Sequence, residues 1–234
     1  MKFFHLSDLH IGLKLINRDL REDQEYIFHQ IAELAIRERP DALVIAGDIY
    51  DKAVPSAEAM EVLDGFIEEL TQNLPELVIM MISGNHDSAV RVNCYRSVLA
   101  RQRLHMIGLP PVQPEEYIEK VVLRDAYGSV NFYLLPFVKP AMAKPFFPEE
   151  VCGDTQSTVE TILRDIHLDE GGRNVLTAHL FVTGCPRCDS EDVVVGGAEG
   201  VPAEIFNAFD YTALGHLHGP QTLPRSEEHT SELQ

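Results

Sequence analysis

Apolar positions along the chain fall into short unbroken runs alternating with longer stretches in which they recur at helical spacing. Residues 2–6, 42–45 and 77–83 are short runs bounded by turn-forming residues, the pattern of buried strands. Between the first two, Ile27, Ile31, Leu34 and Ala35 repeat with helical period over residues 22–39, which predicts an amphipathic helix ended by Pro40-Asp41. Between the second and third, Met60, Leu63, Phe66, Ile67 and Leu70 form the stripe of a helix over residues 56–73, with Ser56 placed to cap it. Strands joined through helices predict parallel pairing. A further helix is expected over residues 88–102, carrying Arg91, Arg96 and Arg101, with Arg103 just past its end.

After Leu109-Pro110-Pro111 the pattern changes. Residues 117–123 and 130–135 flank Asp125-Ala126-Tyr127-Gly128 and predict a hairpin, so an antiparallel section joins the parallel one. Residues 139–156, with Pro140, Pro145 and Pro148, read as a long irregular connection. A helix over 158–166 and strands over 174–177 and 211–214 complete the series, and the fold class is α/β.

Composition narrows the function. The 234 residues are 45% hydrophobic, enough for a substantial core, and carry a net charge of −18. Such a charge argues against adhesion to nucleic acid through bulk attraction, but leaves room for phosphate at a site charged by metal ions. No apolar run is long enough to span a bilayer, and Met1-Lys2-Phe3-Phe4 enters a strand directly, so a cytoplasmic protein without a membrane partner is expected. Four cysteines in a chain of this length do not resemble a disulfide framework. Cys185-Pro186-Arg187-Cys188 has the spacing of a zinc or redox pair, but no second pair accompanies it, and accidental spacing is the reading favoured.

The chemistry lies at the strand ends. Asp8 and His10 follow the first run, Asp48 the second, and Asn85, His86 and Asp87 the third; His179 and then His216 and His218 follow the last two. In extended geometry residues i and i+2 face one side, so Asp8 with His10, and His216 with His218, could converge on one centre. Each cluster alone is equally compatible with a turn or a cap. Together they occupy one topological place, the carboxyl ends of strands, where open α/β sheets put their sites. Imidazoles, carboxylates and one amide oxygen suit two divalent transition ions. Two such ions about 3.5–4 Å apart need a shared anionic bridge, and Asp48 is the carboxylate available for it.

The motifs D-x-H, G-D, G-N-H-D, H and G-H-x-H resemble those of the calcineurin-like metallophosphoesterase superfamily. The words around them (residues 5–12, 47–52, 83–88 and 213–218) are similar to the SbcD-type nuclease family, bacterial relatives of the Mre nuclease of double-strand-break repair. The likeness runs to about Leu223 and includes residues 132–137 and 188–191. It implies a two-sheet β sandwich flanked by helices in an α/β/β/α arrangement. It also implies two divalent metal ions, usually Mn2+, with Asp8, His10, Asp48 and His218 holding one and Asp48, Asn85, His179 and His216 the other. His86 would steady the scissile phosphate or protonate the leaving oxygen. Asp87 would orient the His86 ring, with a structural turn role as its alternative. The implied activity is metal-dependent cleavage of DNA: 3′-to-5′ exonuclease on duplex ends, and endonuclease on single strands or hairpins. The implied partners are an SbcC-like ATPase, in DNA repair, recombination and replication, and a second copy packed through helices 56–73 and 88–102.

Residues 225–234 resemble nothing in that family and look like a translated sequencing-adapter oligonucleotide. The expected division is therefore a nuclease domain over 1–224, cut short of the family's capping region, and a non-native, disordered tail over 225–234. Two rivals remain at this point: a phosphoesterase acting on small phosphodiesters or phosphoproteins, and a catalytically impaired fragment.

Overall fold

The computed structural model describes residues 1–16, 18–113, 115–146, 153–164, 166–183 and 200–218. In chain order the first half contains β1 (Phe3–Leu6), β2 (Lys14–Leu15), β3 (Arg18–Asp19), α1 (Arg21–Glu38), β4 (Ala42–Ala46), α2 (Ala57–Asn73), β5 (Val78–Ile82), α3 (Ala89–Val92), α4 (Arg96–Leu99) and β6 (Leu104–Ile107). The second half contains β7 (Glu119–Asp125), β8 (Gly128–Leu135), α5 (Pro140–Ala143), α6 (Thr155–Arg164), β9 (Arg173–His179) and β10 (Tyr211–Gly215).

Two four-stranded sheets result, ordered β1-β4-β5-β6 and β10-β9-β8-β7. The first is wholly parallel; the second is parallel except for the β7–β8 hairpin. β4 and β5 are buried at every residue, as strands covered on both faces must be. Their alternate side chains supply two cores. Leu43, Ile45, Ile79 and Met81 meet Phe28 and Ala32 of α1 and Leu63, Phe66 and Leu70 of α2. Val44, Met80 and Ile82 meet Phe132, Leu134 and Val175 of the other sheet. A third core covers the far side of the second sheet, where Tyr133, Leu135, Leu176 and Ala178 pack with Val159 of α6. The layers are helix, sheet, sheet, helix, as expected. Stacking two sheets this way brings the carboxyl ends of β1, β4, β5, β9 and β10 to one rim of the sandwich.

Several local expectations change. The helix over 88–102 is interrupted: α3 ends before Asn93, whose Oδ1 accepts from the Gly108 amide at 3.3 Å, and Tyr95 turns left-handed at φ 59°. A Cβ on Gly108 would lie 1.9 Å from the Ala89 carbonyl oxygen, so the chain leaving β6 packs directly on the α3 backbone. β6 completes the first sheet but is only four residues long, and α5 shortens the stretch expected to be irregular. α6 starts at Thr155 because the preceding Asp154 carboxylate accepts from the Ser157 amide at 2.8 Å, a capping contact three residues ahead of the apolar stripe. Ser56 caps α2 as expected, accepting from the Ala59 amide at 3.3 Å. The Cys185–Cys188 spacing and the 225–234 tail lie outside the described residues.

Candidate metal centre

The loops at the rim are tied to one another by backbone before any side chain is considered. The Asp8 amide donates to the Gly47 carbonyl at 3.1 Å, and the His10 amide to the Asp48 carbonyl at 3.0 Å, so the first motif is zipped onto the second. The last motif is held by charge: the His216 amide donates to both oxygens of Asp8 at 3.0 and 3.1 Å. Asp8, His10, Asp48 and His216 all have φ between 43 and 90°. Their convergence therefore comes from left-handed kinks, not from the extended alternation the i, i+2 spacing suggested. Residues other than glycine occupy that region rarely and at a cost, and such strain clusters at functional sites.

Asp48 sits at the centre, 2% exposed. Its Oδ2 lies 3.3 Å from Nε2 of His179 and 3.9 Å from Nε2 of His10, and its Oδ1 accepts from the His86 amide at 2.8 Å. Such close approach needs glycine beside it. A Cβ on Gly84 would lie 2.1 Å from Asp48 Oδ1, and one on Gly47, itself at φ 89°, would lie 2.3 Å from His179 Nδ1. Burial works to raise the Asp48 carboxyl, yet the His179 ring and the His86 amide outweigh it and hold it below the ordinary carboxylate range. Burial acts equally to strip His179 of its proton, and the Asp48 carboxylate overcomes this and raises the ring. His10 is pushed down by burial, against the pull of Asp48.

Around Asp48 the donor atoms divide into three overlapping groups, in each of which they lie within 4.8 Å of one another: Asp8, His10 and His218; His10, Asp48 and His86; Asp48, His179 and His216. Asn85 joins the third, its Oδ1 being 3.0 Å from His179 Nε2 and 2.9 Å from His216 Nδ1. All seven residues expected as ligands are thus brought together. The donor set fits divalent cations. Nε2 of His10 and Nε2 of His218 face each other at 3.4 Å, and the second of these is 3.7 Å from Asp8 Oδ1. His179 is also oriented as a ligand should be, since its Nδ1 donates to the Ala46 carbonyl at 2.8 Å and Nε2 is turned to the centre.

His86 and Asp87 separate in role. Nδ1 of His86 lies 3.0 Å from the Asp51 carbonyl oxygen. The Asp87 carboxylate accepts instead from three backbone amides, Ile49 at 3.0 Å, Tyr50 at 2.9 Å and Gly84 at 2.9 Å. The expectation that Asp87 orients the His86 ring is corrected on this point: the Asp51 carbonyl takes Nδ1, and Asp87 has the turn role. Burial pushes the Asp87 carboxyl up in spite of those amides.

Other contributors were not visible in the sequence. Gln24 of α1 reaches back to the first motif, donating to the His10 carbonyl at 2.9 Å and accepting from the Gly12 amide at 3.0 Å. Nothing in its neighbourhood marks it apart from an ordinary helix glutamine. Phe137 and Phe181 set their rings edge-on to His179 and His216, with centroids 6.1 Å apart in each pair, and Lys139 Nζ lies 5.5 Å from the Phe137 centroid.

Among the described residues, no helix is long and apolar enough to cross a membrane. The family model for calcineurin-like phosphoesterases matches residues 1–220. With that match over nearly the whole length and these donors gathered at the sandwich rim, the chain belongs to the calcineurin-like phosphoesterases, metal-dependent hydrolases of phosphoesters.

Proposed function

We propose that the chain is a two-ion phosphodiesterase acting on DNA, a nuclease subunit of the SbcD type that works with an SbcC-like ATPase and a second copy of itself. The observation carrying the two-ion part is the overlap of donor groups: His10 links the Asp8 and His218 group to Asp48, and Asp48 in turn belongs with His179 and His216, so two donor clusters adjoin at Asp48. Asp8, His10, Asp48 and His218 would hold one ion, and Asp48, Asn85, His179 and His216 the other; manganese is the metal proposed. Divalent ions so held lower the pKa of water and draw charge from phosphoryl oxygens.

The remaining work belongs to the chain. The Asp51 carbonyl keeps the proton on His86 Nδ1, so Nε2 is the atom that addresses the scissile phosphate and exchanges a proton with the leaving oxygen. Phe137 and Phe181 pack edge-on against His179 and His216 and help to fix those rings. What supports DNA as the substrate is the likeness of the sequence around the motifs. What supports a second copy as partner is the apolar exposure of Val90, Tyr95 and Val98 on α3, α4 and the turn between them, together with Met60 on α2. Cytoplasmic location is part of the same proposal.

The proposal is tested by supplying manganese with a linear duplex, a DNA hairpin and aryl phosphate mono- and diesters. Shortening of the duplex from its ends with cleavage of the diester is the expected result. Hydrolysis of the monoester with the duplex left intact would favour a small-substrate phosphoesterase. One feature supports a second reading of His86: it forms a donor group with His10 and Asp48, the geometry of a ligand. Metal content of the His86→Ala protein distinguishes the two roles.

A further inference from the structure

Asp87 is 9% exposed, belongs to none of the three donor groups among the described residues, and yet is bonded to both loops that carry the central ligands. Its Oδ2 accepts from Ile49 and Gly84, and its Oδ1 from Tyr50. Ile49 and Tyr50 directly follow Asp48, and Gly84 directly precedes Asn85. The contact is reciprocal, because Asp48 reaches the other way to accept from the His86 amide at 2.8 Å. Two carboxylates thus cross between the same two loops, each satisfying amides of the other's turn. Asp48 holds a left-handed backbone at φ 48°, a conformation that persists only where its surroundings over-determine it.

We propose that Asp87 is a positioning residue for the metal centre. By clamping the Asp48 turn to its own Asn85 turn through the Ile49 and Tyr50 amides, and bracing its own turn through the Gly84 amide, it sets the approach of Asp48 to Asn85 and so the affinity of the ion on the Asn85, His179 and His216 side. Asp8, His10 and His218 are tied to the rest by other bonds, from the Asp8 and His10 amides and from the His216 amide to Asp8. Loss of the clamp therefore acts unequally on the two positions. The proposal rests on the two-ion reading, and its test separates the two.

Calorimetric titration with manganese alone, without substrate, compares the wild type, Asp87→Asn and Leu70→Ala. Leu70 is a fully buried residue near the far end of α2, and its variant supplies a matched loss of stability away from the site. An amide in place of the carboxylate keeps the size of the side chain but removes one acceptor oxygen. The expected result is two binding events in the wild type. In Asp87→Asn one of the two events should fall by about 10- to 100-fold, the usual effect of removing a group that orients ligands, while the other event is kept. Leu70→Ala should bind as the wild type does. Hydrogen exchange supplies a readout independent of metal: the Ile49, Tyr50 and Gly84 amides should exchange faster in Asp87→Asn than in Leu70→Ala. Unchanged affinities and unchanged exchange in Asp87→Asn would overturn the clamp, as would an equal loss of affinity in Leu70→Ala. A single event in the wild type would overturn the two-ion reading, and the clamp would then stand or fall on whether Asp87→Asn weakens that event.

Discussion

Nε2 of His10 and Nε2 of His218 lie 3.4 Å apart, although 208 residues separate them in the chain. Two ring nitrogens meeting this way share at most one proton between them, and each also faces a carboxylate, Asp48 or Asp8. Donor atoms crowd this closely where a cation is meant to satisfy them. Manganese should therefore stabilise the fold, by about 2.7 kcal/mol when free ion exceeds its dissociation constant a hundredfold. Thermal denaturation with and without a chelator measures this. Asp48→Ala should lose most of the stabilisation together with phosphodiesterase activity.

In the proposed function, His86 stands outside the two ligand sets. His86→Ala should keep near-normal metal content while turnover falls by about 10²–10⁴, the range for loss of a general acid. Metal analysis beside steady-state kinetics reads both quantities. Metal lost along with turnover would make His86 a ligand.

How much of this was legible in the sequence depends on range. The seven candidate ligands could be read because each stands at or just beyond an apolar run, and that place in an α/β chain is fixed by local pattern. The partners of Asp87 could not be read. The amides of Ile49 and Tyr50 are 38 and 37 residues away, and only the packing of β4 against β5 brings them to it. The break before Tyr95 was hidden for the same reason, since the Asn93 side chain at the end of α3 is bonded to the Gly108 amide, 15 residues away. The ribbon of β2 and β3 was hidden by its size, two residues per strand with both exposed.

Two histidines outside the metal centre contribute to an acid limit of the fold. His5 and His105 face the layer between the sheets from its two edge strands, β1 and β6, with His5 Nε2 and His105 Nδ1 buried and unpartnered. Burial pushes both rings below the ordinary histidine value. The unfolded chain then binds more protons than the folded one as pH falls through about 6.5, so stability is full above that pH and is lost below it. Melting temperature in metal-free buffer should drop between pH 7 and pH 5, and less steeply in His5→Gln and His105→Gln. An equal pH slope in the wild type and the double variant would show that other groups set the limit.

If DNA is the substrate, as proposed, charge should govern the grip on it. With 37 acidic against 19 basic residues, the chain has few cations to spare for neutralising phosphates along a duplex. Cleavage of duplex by the chain alone should be weak and should fall steeply with salt, whereas turnover of an aryl phosphodiester should hardly change. Adding an SbcC-like partner should raise duplex cleavage far more than small-substrate turnover, when both are assayed at the same low salt. Equal stimulation of the two would place the effect at the metal centre and not in DNA binding.

The most direct test is a crystal soaked in manganese, with anomalous differences collected at the metal's absorption edge. Two peaks are predicted per chain, one among Asp8, His10, Asp48 and His218 and one among Asp48, Asn85, His179 and His216, with Asp48 touching both. A single peak, or a peak bonded to His86 in place of one of these residues, would contradict the account.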